Sequence, residues 1–334
     1  MASAADNQKL ERDLLRNKYK EAISDLIKAL DSQAKAGYGY GELTGLGISL
    51  RSFDPDNEKF PDSTACLFRP MSSEEFENYS IDKSDLDRGA IDYYVDFDKT
   101  YDAPKRVKNA SHSYTMRERA FQIYRHLQVC YLYCKTGGRE TEFLDEISGW
   151  SQIKHDNSFL INGERLMEWQ EDYDDPETLR PHIMLTICTG AEPKDNELLF
   201  SELGSIAQAI ENRLQQKEFE KTSLFPGYFT ISSVLAISLF GPRHGRLLQA
   251  HFNKSGMLKV LVSPIYKFLR RDDAPSELFL RYYTSVPQDG PEYQFYSDEE
   301  DTSAQHHQYV SPSPGSNIEN IPPNKVHRPS SEEA

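Results

Sequence analysis

The chain has 334 residues, with 53 Asp+Glu against 38 Lys+Arg, a formal charge of −15 and a pI of about 5.1. That balance argues against a protein that is basic over its whole surface and coats nucleic acid. A hydrophobic content of 38% suffices for one large core or two modest ones, and no run of about 18 apolar residues reads as a membrane span. The first twenty residues are polar and charged, with no signal-peptide apolar core. Cys66, Cys130, Cys134 and Cys188 are therefore expected as reduced thiols in an intracellular protein, cytoplasmic or nuclear.

In chain order, Leu10, Leu14, Leu15, Tyr19, Ile23, Leu26, Ile27 and Leu30 recur at three- and four-residue steps and predict an amphipathic helix over about 8–34. A Gly-rich run, 37–47, leads into a strand at 48–53. It follows a helix and precedes a strand, the reverse of a dinucleotide fingerprint, and no Lys-Ser/Thr pair closes it as in a P-loop; it reads as a connection. Residues 54–113 are polar, with short strands expected near 65–68 and 91–97. The apolar segment 115–136 predicts a central helix, closed by Gly137 and Gly138. Residues 168–177 carry six acids and no base and read as a solvated loop. A short buried strand is expected at 182–189 and a helix at 196–220. Three strands follow, 229–240, 246–252 and 258–262, joined by short turns at 241–245 and 253–256, which imply an antiparallel meander. A last helix should contain Leu278, Phe279 and Tyr282, capped by Asp272 or Asp273 with Pro275 in its first turn. From 286 onward come seven prolines and nine acids against Lys325 and Arg328, a composition that predicts disorder.

Charge is distributed unevenly. Residues 221–271 contain no Asp or Glu, where the chain average would place about eight, and hold Lys221, Arg243, Arg246, Lys254, Lys259, Lys267, Arg270 and Arg271. The turn Gly241-Pro242-Arg243-His244-Gly245-Arg246 sets two guanidiniums beside an imidazole, and guanidinium suits bidentate contact with phosphate or carboxylate. Arg243, His244, Arg246, Lys254 and Lys259 are the candidate anion-binding residues. Two readings stand: an external anion, nucleic acid or an acidic protein, or pairing with acids elsewhere in this chain. The acidic tail could itself fold back and mask the bases. Helix–strand–strand–strand–helix order also occurs in the restriction-nuclease core, but such nucleases hold metal with acids that this window lacks, which leaves at most a binding-only relative.

Asp96-Phe97-Asp98-Lys99-Thr100 resembles the first motif of haloacid-dehalogenase-type phosphatases, Asp-x-Asp-x-Thr. The resemblance implies Asp96 as nucleophile, Asp98 as general acid/base and Mg²⁺ bridging carboxylate and phosphate. Against it, Asp92 falls where a buried parallel strand should be apolar, and no βα units follow. His126, Cys130 and Cys134 lie at four-residue steps on one helix; a tetrahedral metal site would need a fourth ligand, and the reading is small cysteines buried in an apolar helix, with no metal or other cofactor. Lys105, Arg106 and Lys108 resemble a nuclear-import signal. Ser297, followed by acids, and Ser311 and Ser313, each before Pro, read as phosphorylation sites that would add charge to the tail.

The stretch Leu224–Phe252, with Gly241-Pro242-Arg243-His244-Gly245-Arg246 as its most distinctive part, resembles a block in a family of filamentous-fungal proteins, and the similarity extends over about 197–268. The resemblance implies a fungal origin and a folded unit, and it carries no activity. The expected fold is α+β: an antiparallel β-meander packed with helices, plus a disordered acidic C-terminal tail. Residues 1–36 read as the N-terminal helix, 37–285 as the globular region with its core in 197–285, and 286–334 as the tail. The expected function is a non-enzymatic binding or accessory module whose bases engage an anionic partner. The alternatives are the Mg²⁺-dependent phosphatase and a protein that acts through protein–protein contacts alone.

Overall fold

Along the chain the elements run α1 (Ala4–Gln33), β1 (Gly37–Gly39), α2 (Tyr40–Gly45), β2 (Ile48–Ser52), β3 (Phe68–Arg69), α3 (Ser73–Phe76), β4 (Tyr79–Ile81), α4 (Arg88–Tyr94), α5 (Met116–Tyr133), β5 (Cys134–Thr136), β6 (Trp150–Gln152), β7 (Gly163–Gln170), β8 (Leu179–Thr189), β9 (Glu197–Leu199), α6 (Phe200–Gln215), β10 (Val234–Phe240), β11 (His244–Phe252), β12 (Leu258–Val262), β13 (Tyr266–Lys267), α7 (Ser276–Tyr283) and β14 (Val286–Pro287). The computed structural model describes residues 4–33, 35–56, 67–98, 115–138, 141–153, 163–170, 179–194, 196–216, 219, 233–253 and 255–288. All of them fall in the compact unit Met1–Tyr293; a second unit, Gln294–Ala334, lies outside the described residues. So do Lys105, Arg106, Lys108, Lys254, Ser297, Ser311 and Ser313, and the tail beyond Gln288.

The fold is α+β, built on one large mixed sheet in the order β2-β12-β11-β10-β8-β7-β6, with β13 added to β11. β10 and β11 pair antiparallel from Val234↔Ala250 to Phe240↔His244, and β11 pairs antiparallel with β12 from Leu248↔Val262 to Phe252↔Leu258. The flanks differ. β10 runs parallel to β8, and β12 parallel to β2. Parallel neighbours need a crossover, and α6 provides it between β8 and β10. Strands covered on both faces read as continuous apolar runs rather than as an alternation; Val-Leu-Ala-Ile-Ser-Leu-Phe of β10 is buried at every position.

Strand alternation divides these residues between two helical layers. On one face Ile183, Leu185, Ile187, Val234, Ala236, Leu248, Ala250, Leu258 and Val260 form a single cluster with Tyr19, Ile23, Leu26 and Leu30 of α1 and Leu203, Ile206, Ile210 and Leu214 of α6. The N-terminal helix is thus part of the main core. On the other face α5 packs on β8 and β10, and α7 packs on α5. The first residues of α5 sit against the ends of the parallel pair. A Cβ on Gly241 would lie 2.6 Å from the Cβ of Met116, and one on Gly190 would lie 3.1 Å from the backbone N of Arg117.

Several expectations are corrected. The strand expected at 91–97 is the helix α4. Asp87 caps it by accepting the Ala90 N–H at 2.7 Å, and Leu86, Ala90, Tyr93 and Tyr94, at helical spacing, pack with Val129 in a small satellite cluster. The acidic loop expected at 168–177 begins as strand, since β7 continues through Glu168 to Gln170; residues 171–178 lie outside the described residues. The helix expected from 196 starts at Phe200, after β9. The last helix has Pro275 rather than Asp272 or Asp273 at its N-cap, without a side-chain hydrogen bond. The turn expected at 241–245 is tighter, because His244 and Gly245 already pair with β10. Among the described residues no helix is long and apolar enough to cross a membrane.

Candidate functional site

The acid-free window turns its central guanidiniums inward. Arg246 lies on β11 opposite Ser238, on the face covered by α6. Its Nε donates to Oε1 of Glu202 at 2.8 Å, and Nη2 donates to Oε2 at 2.5 Å and to the Glu197 carbonyl at 2.9 Å. Both side chains are almost wholly buried, Arg246 at 5% and Glu202 at 0% exposure. Glu202 also accepts the Leu199 N–H at 2.8 Å. A bidentate fork of this kind is among the strong charge-assisted contacts, and here it ties the sheet centre to the β9–α6 junction. The anion that Arg246 engages is a carboxylate of its own chain, which for this residue is the internal of the two readings open from sequence and replaces its place among the candidates for an external anion.

Arg243 is also turned inward, onto a carbonyl and a ring rather than a carboxylate, which corrects its place in the solvent-facing set. It is fully buried, its Nη2 donates to the Phe97 carbonyl at 2.8 Å and its guanidinium lies 4.1 Å from the Phe97 ring centre. Arg213 and Arg281 are also buried. Arg213 contacts Glu168 and the His182 carbonyl, and Arg281 donates to the Met71 carbonyl. The remaining candidates are dispersed. His244 is half-buried and stands beside Lys267 of β13. Lys259 pairs with His251, seven residues along β11 from His244, or roughly 24 Å at the rise of a strand.

Asp96 and Asp98 follow α4. The phosphatase resemblance requires its aspartates at the end of a parallel strand, and that strand is a helix, which removes the scaffold for the implied roles. The structure does bring this segment to the arginine-bearing turn: Phe97 receives Arg243, and the Asp98 carboxylate accepts the Arg271 N–H at 2.8 Å.

His126 of α5 lies where these pieces meet. Its ring is 4.4 Å from that of Phe97 and stacks on Tyr94 at 5.7 Å. Nδ1 is 3.3 Å from the Tyr93 carbonyl and Nε2 is 3.2 Å from Oγ of Ser276. A carbonyl only accepts, so Nδ1 carries the proton and Nε2 presents a lone pair. The Ser276 hydroxyl therefore donates to Nε2. Cys130 Sγ lies 3.7 Å from the same nitrogen. Burial holds His126 at a pKa of about 4, against the lifting effect of the Tyr93 carbonyl; Arg271 and Arg243 lower it further, and Asp98 raises it. Burial also lifts the Cys130 thiol far above the ordinary range and Cys134 to about 11, so both stay protonated and unreactive.

Ser276 is half-buried and occupies the first position of α7. Sequence reasoning singled out His126 for its spacing to Cys130 and Cys134 and missed Ser276, which is 150 residues away. No family model, no curated protein and no solved structure matches this chain, which leaves these contacts as the ground for its function.

Proposed function

We propose that the protein is a binding module for an anionic partner, nucleic acid in the first instance, engaged by the bases of the acid-free window that reach the surface. The observation that carries this reading is the pairing of His244 with Lys267 at one end of the sheet. Lys267 and Arg270 are exposed there, and the Arg271 side chain retains 29% exposure. With Arg243 and Arg246 committed inside, these four residues replace the set drawn from sequence alone. Arg271 also contacts Asp272, an exposed pair of the kind that contributes little and yields readily to a phosphate.

On this reading the acidic composition of the segment after 286 would make it a competitor for the same bases. Phosphorylation at Ser297, Ser311 and Ser313 would strengthen that competition, and Lys105, Arg106 and Lys108 would direct the protein to the nucleus. The test is fluorescence anisotropy of the full chain with single- and double-stranded oligonucleotides at about 0.05 and 0.15 M salt, where screening differs. Three phosphate contacts predict an affinity loss on the order of 20-fold across that range. The variant Lys267→Ala/Arg270→Ala should weaken binding and flatten the salt dependence. Equal affinity of variant and parent would refute the reading. Absence of oligonucleotide binding, with capture of an acidic peptide instead, would move the partner class to protein.

A further inference from the structure

We propose that Ser276 and His126 form a nucleophile–base pair competent for acyl transfer from carboxylic esters to Ser276 Oγ. Three observations converge. The carbonyl of Tyr93 fixes the tautomer in which Nε2 of His126 is unprotonated, and Nε2 lies 3.2 Å from the hydroxyl it would deprotonate, within the reach required of a general base. The two partners differ in access: His126 is 1% exposed, whereas Ser276 is half-buried at the start of a helix. That helix start also favours developing negative charge. The helix itself offers no acceptor to the N–H groups of Glu277 and Leu278, and Pro275 contributes no side-chain cap.

The step balances with the ester and water alone. The Ser276 proton passes to His126 Nε2 as Oγ bonds to the ester carbonyl carbon. The bond from that carbon to the alcohol oxygen breaks, and the leaving oxygen takes the proton from Nε2. Water then releases the acid by the same relay. Charges face the imidazole from three segments. Arg243 approaches from the β10–β11 turn and Arg271 from the segment before α7, both opposing an imidazolium, while Asp98 after α4 favours one. Burial above all, with the two arginines adding to it, keeps the ring neutral at physiological pH, so the base remains available well into the acid range. Arg271 enters both this reading and the anion-binding one, but the anion-binding reading is tested at Lys267 and Arg270 and this one at Ser276 and His126, so either can fail without the other.

The experiment is intact-mass spectrometry of the full chain with a fluorophosphonate probe, which transfers its phosphorus to Oγ and releases fluoride. The adduct is located by peptide mapping. Stoichiometric modification at Ser276, absent in Ser276→Ala and at least 100-fold slower in a folded His126→Asn variant, is the expected result. If His126→Asn does not fold, the pH profile of the parent protein decides. A labelling rate flat from about pH 8 to 5, and falling below that while circular dichroism shows the fold retained, supports the pair, because Nε2 titrates near 4. A rate rising tenfold per pH unit would show hydroxide rather than His126 as the base and would overturn the proposal. An unlabelled Ser276 in the folded parent at pH 7 would overturn it as well.

Discussion

Removing either partner of the Arg246–Glu202 pair should cost far more than removing both in proportion. Glu202 accepts three hydrogen bonds, two from Arg246 and one from the Leu199 N–H. In Arg246→Met a buried carboxylate keeps only the Leu199 hydrogen bond; in Glu202→Leu a buried guanidinium keeps the Glu197 carbonyl as its hydrogen-bond acceptor and the Phe240 ring at 5.8 Å. Each single change leaves an uncompensated charge and should destabilise by about 3–5 kcal/mol. The double variant removes both charges and leaves the Leu199 N–H and the Glu197 carbonyl short of a partner, at about 1–3 kcal/mol each. It should therefore cost about 2–6 kcal/mol, against about 6–10 for the sum of the singles. Urea unfolding at pH 7, with midpoint and slope measured for all four proteins, gives the coupling directly. Single-variant losses that add to within about 0.5 kcal/mol would refute the view that this fork is an internal clamp rather than two separate contacts.

Stability should fall on mild acidification. His126 and His251 are buried neutral, with burial as the main cause of folded pKa values of about 4 against an ordinary 6.5. Between these values the unfolded chain takes up protons that the folded chain refuses. Stability is thus complete above about pH 6.5 and declines as pH falls toward 4, by up to about 3 kcal/mol per histidine; a urea midpoint unchanged between pH 7 and 4.5 would contradict this. Gly241→Ala should destabilise by about 1–3 kcal/mol, because its Cβ would lie 2.6 Å from that of Met116, and thermal melts will show whether α5 can retreat. Cys130, Cys134 and Cys188 are all buried and should resist iodoacetamide in the native protein at pH 8, then react on unfolding. Rapid native alkylation of Cys130, located by peptide mapping, would show that α5 opens locally.

The elements that were legible in the sequence are those whose periodicity and packing agree. α1 and α5 carry apolar stripes at helical spacing, and the largely apolar β10 and β12 flank β11, whose Leu247, Leu248, Ala250 and Phe252 sit between turn residues. Segment 88–94 misled because its aromatic pair, Tyr93-Tyr94 before Val95, favours strand, while Asp87 as cap and the packing of Ala90 on Val129 settle it as helix; tertiary contact outweighed local propensity. The parallel pairing of β8 with β10 left no local trace. The fates of the arginines were equally hidden, since a charge run reads as surface until its partner is known. Glu202 lies 44 residues before Arg246, and Phe97 lies 146 before Arg243. An acid-free window in an acidic chain marks where bases gather, but not whether they face solvent or another part of the protein.

The pairing of β2 with β12 matters for how the molecule is made. Ile48 meets Leu258 and Ser52 meets Val262, so an edge of the sheet waits for residues synthesised about 210 positions later. At about 5–20 residues per second, the apolar face of α1 and the backbone of β2 emerge from the ribosome about 10–40 s before their partners exist. Until then the apolar side chains that the early half will bury have no complete core to enter. Contacts between such distant segments also slow the final closure.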